Sequence, residues 1–263
     1  MTIGDALTLE IQDDIATITF ARPDTGDPID AIFCRELLDV VNILADHDAL
    51  RVVQIRSAGR FFSVGGDVKS FLAEGDALPA YIRSATGDVG PAMSRLASLP
   101  VPVVVEVKGP AVGGSLSIVA VADVAIAGSN ASFLAAFTGI GLSPDMGNTY
   151  FVTRRVGSRQ ASNFYMLNQT WAADDALAHG LVSFVVPDDE LRDRTAQIVG
   201  DLATKATAAL GATKRLMWRT WDNTLDAQLE LEAASITRLG ATEDAREGLT
   251  AVSERRPAKF HGR

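Results

Sequence analysis

The sequence is poor in the residues that build metal centres and disulfides. It holds one cysteine, Cys34, and three histidines, His47, His179 and His261, scattered along 263 residues. A single cysteine excludes an intrachain disulfide and suits a reducing cytoplasm, and histidines so spaced match no metal-ligand motif. Basic residues are short as well: 24 Lys and Arg stand against 33 Asp and Glu, for a net charge of −9. With no basic cluster, that balance argues against a nucleic-acid partner. Long apolar runs are also missing. The most apolar stretch, residues 116–127, is broken by Asp123 and falls short of the roughly 20 residues a bilayer crossing needs. The opening Met1-Thr2-Ile3-Gly4-Asp5 lacks the basic-then-apolar layout of a signal peptide. No repeat, low-complexity tract or Gly-x-Gly-x-x-Gly after the first strand is present, which argues against a solenoid and a dinucleotide enzyme.

What the chain does have is 47% hydrophobic and 22% charged residues, enough for one large core with or without an appendage. Residues 7–12 and 15–20 read as strands joined by a turn at Asp13-Asp14. Leu37, Leu38, Val41 and Leu44 then fall at helical spacing, and 52–55 form a further strand. The alternation continues with a helix over 93–99, a buried strand over 101–107, a helix over 114–122 and a strand over 124–127. Strands stop near 189, and three apolar-periodic segments follow; the clearest puts Leu225, Leu229, Ala233 and Ile236 on one helix face. The expected organisation is an α/β core over 1–190 and a helical region over 191–263.

Two glycine-rich loops carry the chemical signal. Phe62-Ser63-Val64-Gly65-Gly66-Asp67 follows a strand, and Lys108-Gly109-Pro110-Ala111-Val112-Gly113-Gly114-Ser115 runs from a buried strand into a small-residue helix. Glycine lets backbone approach a ligand, and free amides at a helix start suit a developing oxyanion. Taken singly, each loop is equally well a plain strand-to-helix turn.

Together and in this order, the loops resemble the crotonase superfamily of enoyl-CoA hydratases and isomerases. Phe62 to Asp67 is similar to its Phe-Ser-Ala-Gly-Ala-Asp, and Lys108 to Ser115 to its Asn-Gly-x-Ala-x-Gly-Gly-Gly. Arg22-Pro23 resembles its Arg-Pro loop, Gly180-Leu181-Val182 its Gly-Leu-Val step, and residues 242–262 its tail. The resemblance implies a spiral of strand-strand-helix turns, a helical trimerisation region including residues 222–239, and assembly as homotrimers or pairs of trimers. It implies a substrate carried as a coenzyme A thioester and no permanently bound cofactor or metal. Gly66 and Gly114 would donate the two oxyanion amides. Arg22, Ser63, Val64, Gly65, Asp67, Gly113, Phe137 and Leu142 would surround the substrate, with Ser63 and Val64 near the adenine end. Residues 70–91, rich in Gly, Ala and Asp, resemble the family's variable pocket-lining segment. Departures are Asp27-Pro28-Ile29 for Asn-Ala-Leu, which puts a charge where CoA phosphates are expected, and Ser115 for the last glycine.

By the same resemblance, the two hydratase glutamates map to Ser117 and Phe137, neither of which moves a proton as a carboxylate does. Gly141-Leu142-Ser143-Pro144-Asp145-Met146-Gly147 instead places Asp145 where family isomerases carry their carboxylate. Phe133, Phe137, Ile140, Leu142 and Met146 around it favour a raised proton affinity. The plainer role for Asp145 is to cap a helix beginning at Met146. Acyl-CoA dehalogenases also carry an aspartate there, but their tryptophan and histidine partners are matched by Phe137 and Gly90. Glu74 and Glu106 are further candidates for the pocket, and Asp123 fits a structural aspartate. Two rivals of other classes stand beside the isomerase: a non-catalytic CoA-binding subunit, and a serine hydrolase using Ser115, Asp145 and His179, whose elbow lacks one glycine.

Overall fold

A computed structural model describes residues 3–262. The chain opens as a hairpin of β1 (Leu7–Gln12) and β2 (Ile15–Phe20), paired from Leu7↔Phe20 to Gln12↔Ile15. Asp13 and Asp14 both take positive φ, +50° and +61°, as a two-residue turn matched to strand twist requires. Next comes α1 (Ala31–Ala45), capped by Asp30, whose carboxylate accepts from the Phe33 amide at 2.9 Å. Its stripe of Phe33, Leu37, Val40, Val41 and Leu44 faces the core. The chain continues through β3 (Val52–Ser57), α2 (Val68–Glu74), α3 (Leu78–Ser98), β4 (Val103–Val107), β5 (Pro110–Val112), α4 (Ser115–Val121), β6 (Val124–Gly128), β7 (Ser132–Leu134), α5 (Asn148–Met166), β8 (Thr170–Ala172), α6 (Ala173–Ala178) and β9 (Phe184–Val186).

Six strands form one sheet in the order β1-β2-β3-β4-β6-β9, parallel beyond the opening hairpin. The buried β4, read in sequence as an unbroken apolar run, sits inside it. A second sheet, β5-β7-β8, carries the site. The first glycine loop lies along its edge: Phe62 and Ser63 amides donate to Pro110 O, Val112 N donates to Ser63 O, and Ser63 pairs with Ala111. The two glycine loops, nearly fifty residues apart in sequence, are therefore one continuous piece of backbone pairing.

Two expectations need correction. Helix α3 starts at Leu78, well before the expected Met93, and includes Pro91. Gly87, Gly90 and Pro91 hide its period in the sequence. Packing on α1 holds it, through the buried Val89, Ala92, Met93 and Leu96. After the last strand there are four helices among the described residues, not three: α7 (Leu191–Ala203), α8 (Thr207–Arg219), α9 (Leu225–Leu239) and α10 (Glu243–Glu254). Lys214 of α8 is buried, ion-paired to Asp123 at 2.9 Å and hydrogen-bonded to Val101 O at 3.2 Å. Asp123 also accepts from Val103 N at 2.8 Å, so it is structural, as expected. Among the described residues no helix is long and apolar enough to cross a membrane.

Candidate active site

Between the second sheet, α1, α3 and the residue 136–146 segment lies a cavity of about 270 Å³. Gly66, Gly113, Gly114, Val64, Phe137, Leu142 and Asp145 all line it, so seven of the residues singled out in sequence converge on one space. Gly65 stands just behind. Its φ is +80°, and an added Cβ would lie 2.6 Å from Val112 O, so only glycine lets the first loop turn against β5. The Gly65 amide is taken by Ser63 Oγ and its carbonyl by Ile29 N. The amides of Gly66 and Gly114, by contrast, donate to no acceptor among the described residues. Gly114 precedes α4, where helix geometry leaves amides unpaired.

The second loop is braced from behind by a buried polar chain. Asn148 Nδ2 donates to Gly113 O at 2.9 Å and to Ser117 Oγ at 2.8 Å, and Tyr165 Oη donates to Asn148 Oδ1 at 2.5 Å. Sequence reasoning missed Asn148 and Tyr165. A polar residue following Gly147 at a helix start was the available signal, but nothing in the sequence paired it with Gly113. Ser117, at one hydratase-glutamate position, is spent inside this brace and fully buried.

Asp145 does not cap a helix at Met146. Met146 and Gly147 are left-handed, at φ +54° and +76°, and α5 begins at Asn148 with no side-chain cap. The carboxyl instead lies beside the second loop: a Cβ on Gly114 would come within 3.9 Å of its Oδ1. Asp145 lines the cavity and is still exposed to solvent, with protein packed around only part of the carboxyl. That partial desolvation pushes its pKa up, against a smaller opposing pull from its own backbone amide. The other carboxylate on the wall, Asp30, behaves oppositely. Burial alone would raise it, but two Arg22 hydrogen bonds, at 2.6 and 2.9 Å, and the Phe33 amide hold it below the usual range. Cys34, between them, has its thiol pushed up to about 12 by burial and then by the charges of Asp145, Asp30 and Asp88. It is a neutral wall residue.

Several expected contacts turn out to be scaffolding. The two terminal nitrogens of the Arg22 guanidinium are taken by Asp30 and Pro28 O, outside the cavity lining. Asp27 is buried, accepting from Arg22 N and Ser57 Oγ, and is no surface charge beside a phosphate. Ser63 is buried too, its hydroxyl given to Asp27 O, so it shapes the loop and cannot meet adenine. Asp67 caps α2 through Lys69 N and Ser70 Oγ. Glu74 and Glu106 are not in the lining, and Glu106 faces Arg192 at 3.7 Å. The hydrolase triad falls apart: Ser115 is buried with its hydroxyl on Val112 O, and His179 packs on Trp171.

Residues 10–263 match the enoyl-CoA hydratase/isomerase family. A Rhodobacter capsulatus protein named a probable enoyl-CoA hydratase is 34% identical over 97% of this chain and 97% of its own. The 1,2-epoxyphenylacetyl-CoA isomerase of Escherichia coli is 31% identical over 96% and 97%. A solved Mycobacterium abscessus structure, a candidate enoyl-CoA hydratase/isomerase by name, superimposes with a TM-score of 0.93 at 32% identity, covering 98% of this chain and 100% of the other.

Proposed function

This chain belongs to the enoyl-CoA hydratase/isomerase family, and from that premise we propose that it isomerises an acyl-CoA, moving a double bond or opening a ring with one aspartate as acid and base. The observation that carries the reading is the contrast between the two wall carboxylates. Asp30 is locked by Arg22, while Asp145 has no such ion pair, is exposed to solvent yet raised in pKa by partial desolvation, and lies beside Gly114. In the proposed step the amides of Gly66 and Gly114 hold the thioester oxygen. Asp145 removes a proton from C2 of a 3-enoyl thioester, electrons move onto the oxygen, and the same proton returns at C4. Each preorganised donor lowers the barrier by roughly 3 kcal/mol. A raised carboxyl pKa favours both taking and returning the proton near neutral pH.

Water addition is the second reading, favoured by the hydratase names among the relatives. Against it stand Phe137, apolar on the wall, and Ser117, buried in the brace. A dehalogenase-like or hydrolytic outcome lacks its partners, since Gly90 lies outside this cavity. We place the enzyme in the cytoplasm and propose a homotrimer, or pairs of trimers, closed over the apolar faces of α9 and α10, where Leu225, Ile236, Leu249 and Val252 are all more than 70% exposed. Sedimentation of the parent and of Ile236→Glu tests the assembly.

The decisive experiment incubates the enzyme with 2-enoyl-, 3-enoyl- and aryl-CoA thioesters in deuterated water. We expect label at C2 or C4 with no water added, and a rate lowered roughly 10²–10⁴-fold in Asp145→Asn. Hydrated product, or equal exchange in the variant, refutes the assignment; acyl-CoA binding with no exchange at all favours the non-catalytic subunit.

A further inference from the structure

Behind the active cavity lies a second one, of about 600 Å³, bounded by α3, the start of α5 and α8. Gly90, Met93, Ala97, Tyr150, Phe151 and Trp218 form much of its wall. The two cavities share one lining residue, Met146, and they share α3, which presents Val89 to the first and Gly90 and Met93 to the second. Met146 is 5% exposed, and its sulfur packs so closely on Gly114 that a Cβ there would sit 2.7 Å away. A group held at the Gly114 amide thus has Met146 as its immediate neighbour.

Size makes this partition matter. Pockets that enclose small ligands run roughly 300–1,000 Å³. The first cavity, about 270 Å³, falls below that range, and the second, about 600 Å³, falls within it. The side chain between them is the most compliant apolar one, unbranched and free to change rotamer. Its backbone, at φ +54°, is in a conformation that disfavours any side chain.

We infer that Met146 is a movable plug that sets acyl length: short acyl groups stay in the first cavity, and the distal part of longer linear ones passes Met146 into the second. The occupant is an apolar chain lying along Met93, Ala97, Tyr150, Phe151 and Trp218, while Ser94, Ser98, Arg215, Arg219 and Asp222 make the polar part of the lining. The inference rests on reading the first cavity as the acyl-CoA site. It does not depend on which reaction occurs there.

Binding of saturated, unreactive acyl-CoA thioesters therefore tests it, using hexanoyl-CoA and tetradecanoyl-CoA in calorimetric titrations of the full chain. Met146→Gly removes the plug and suits the positive φ. Each methylene newly buried improves affinity roughly fourfold, so the preference for the longer thioester should rise at least about tenfold. Ala97→Phe fills part of the second cavity from its α3 wall. Alone it should weaken tetradecanoyl-CoA more than hexanoyl-CoA, and combined with Met146→Gly it should cancel the gain. The single Ala97→Phe variant keeps the test open should Met146→Gly fail to fold. A length preference unchanged within twofold in both single variants overturns the plug. Failure of both thioesters to bind the parent chain overturns instead the acyl-CoA reading beneath it.

Discussion

The two walls of the active cavity are built on different principles. The glycine-loop wall presents backbone, and every turn behind it is fixed by buried polar contacts: Ser63 to Asp27 O, Gly65 to Ser63, and Asn148 to Gly113 O. The helical wall of α2 and the first half of α3 presents side chains, Phe71, Tyr81, Ile82 and Thr86, on segments whose other faces are largely exposed, whereas the second half of α3 is buried on α1. Backbone donors in a rigid frame need no reorganisation as charge develops. Side chains on a half-exposed helical turn can be exchanged at small cost. In the proposed reading, the first wall supplies the oxyanion donors, and the second touches the acyl group alongside Met146.

The sharpest way to break that division is Gly65→Ala. The new Cβ meets Val112 O at 2.6 Å in a left-handed backbone, so the loop must shift and take the Gly66 amide with it. We expect kcat to fall roughly 10²–10³-fold, the cost of one lost oxyanion donor, while ground-state acyl-CoA binding changes far less. Asn148→Ala is next. It strips Gly113 O and Ser117 Oγ of a donor and Tyr165 Oη of its acceptor. Each stranded polar group costs about 1–3 kcal/mol, which chemical denaturation will register alongside lowered kcat. On the other wall, Tyr81→Phe removes the acceptor of the Ala31 amide and should cost about 0.5–1.5 kcal/mol. There the expected kinetic change is a reordering of KM among acyl groups.

The smallest effect concerns pH. The folded Asp145 pKa is raised, so ionisation opposes folding: the stability it supports is full below the unfolded carboxylate pKa and lost as pH rises through the folded one. Asp145→Asn should therefore melt at higher temperature than the parent at pH 7, and the difference should close on acidification below the ordinary aspartate range. A gap that widens in acid would contradict the sign.

The sequence revealed the glycine-loop wall more readily than the other. Gly66, Gly113, Gly114 and Asp145 were singled out through the resemblance of their motifs, and the structure gathers them round one cavity; α1 and β4 were legible because their burial patterns are clean. Helix α3 was obscured by Gly87, Gly90 and Pro91, since its stability comes from α1 and not from its own residues. Arg22, Asp27, Ser63 and Asp67 were taken for ligand contacts because polar residues beside a binding loop look alike in one dimension. Only the fold shows that their hydrogen bonds are made within the protein, those of Arg22, Asp27 and Ser63 in one network with Asp30, and those of Asp67 on the start of α2. Asn148 was illegible for the same reason: its partner Gly113 is 35 residues away.

The brace behind Gly113 also constrains how this enzyme can change its trade. Installing a glutamate at Ser117 to recruit water would unseat Asn148 from its hydroxyl partner and press a longer chain into a fully occupied interior. On the proposed mechanism, the gain of a second acid would thus loosen the backbone that both reactions share. A lineage or an engineer crossing from one chemistry to the other must rewrite Ser117, Asn148 and Tyr165 together, because no single exchange along the way keeps all three satisfied.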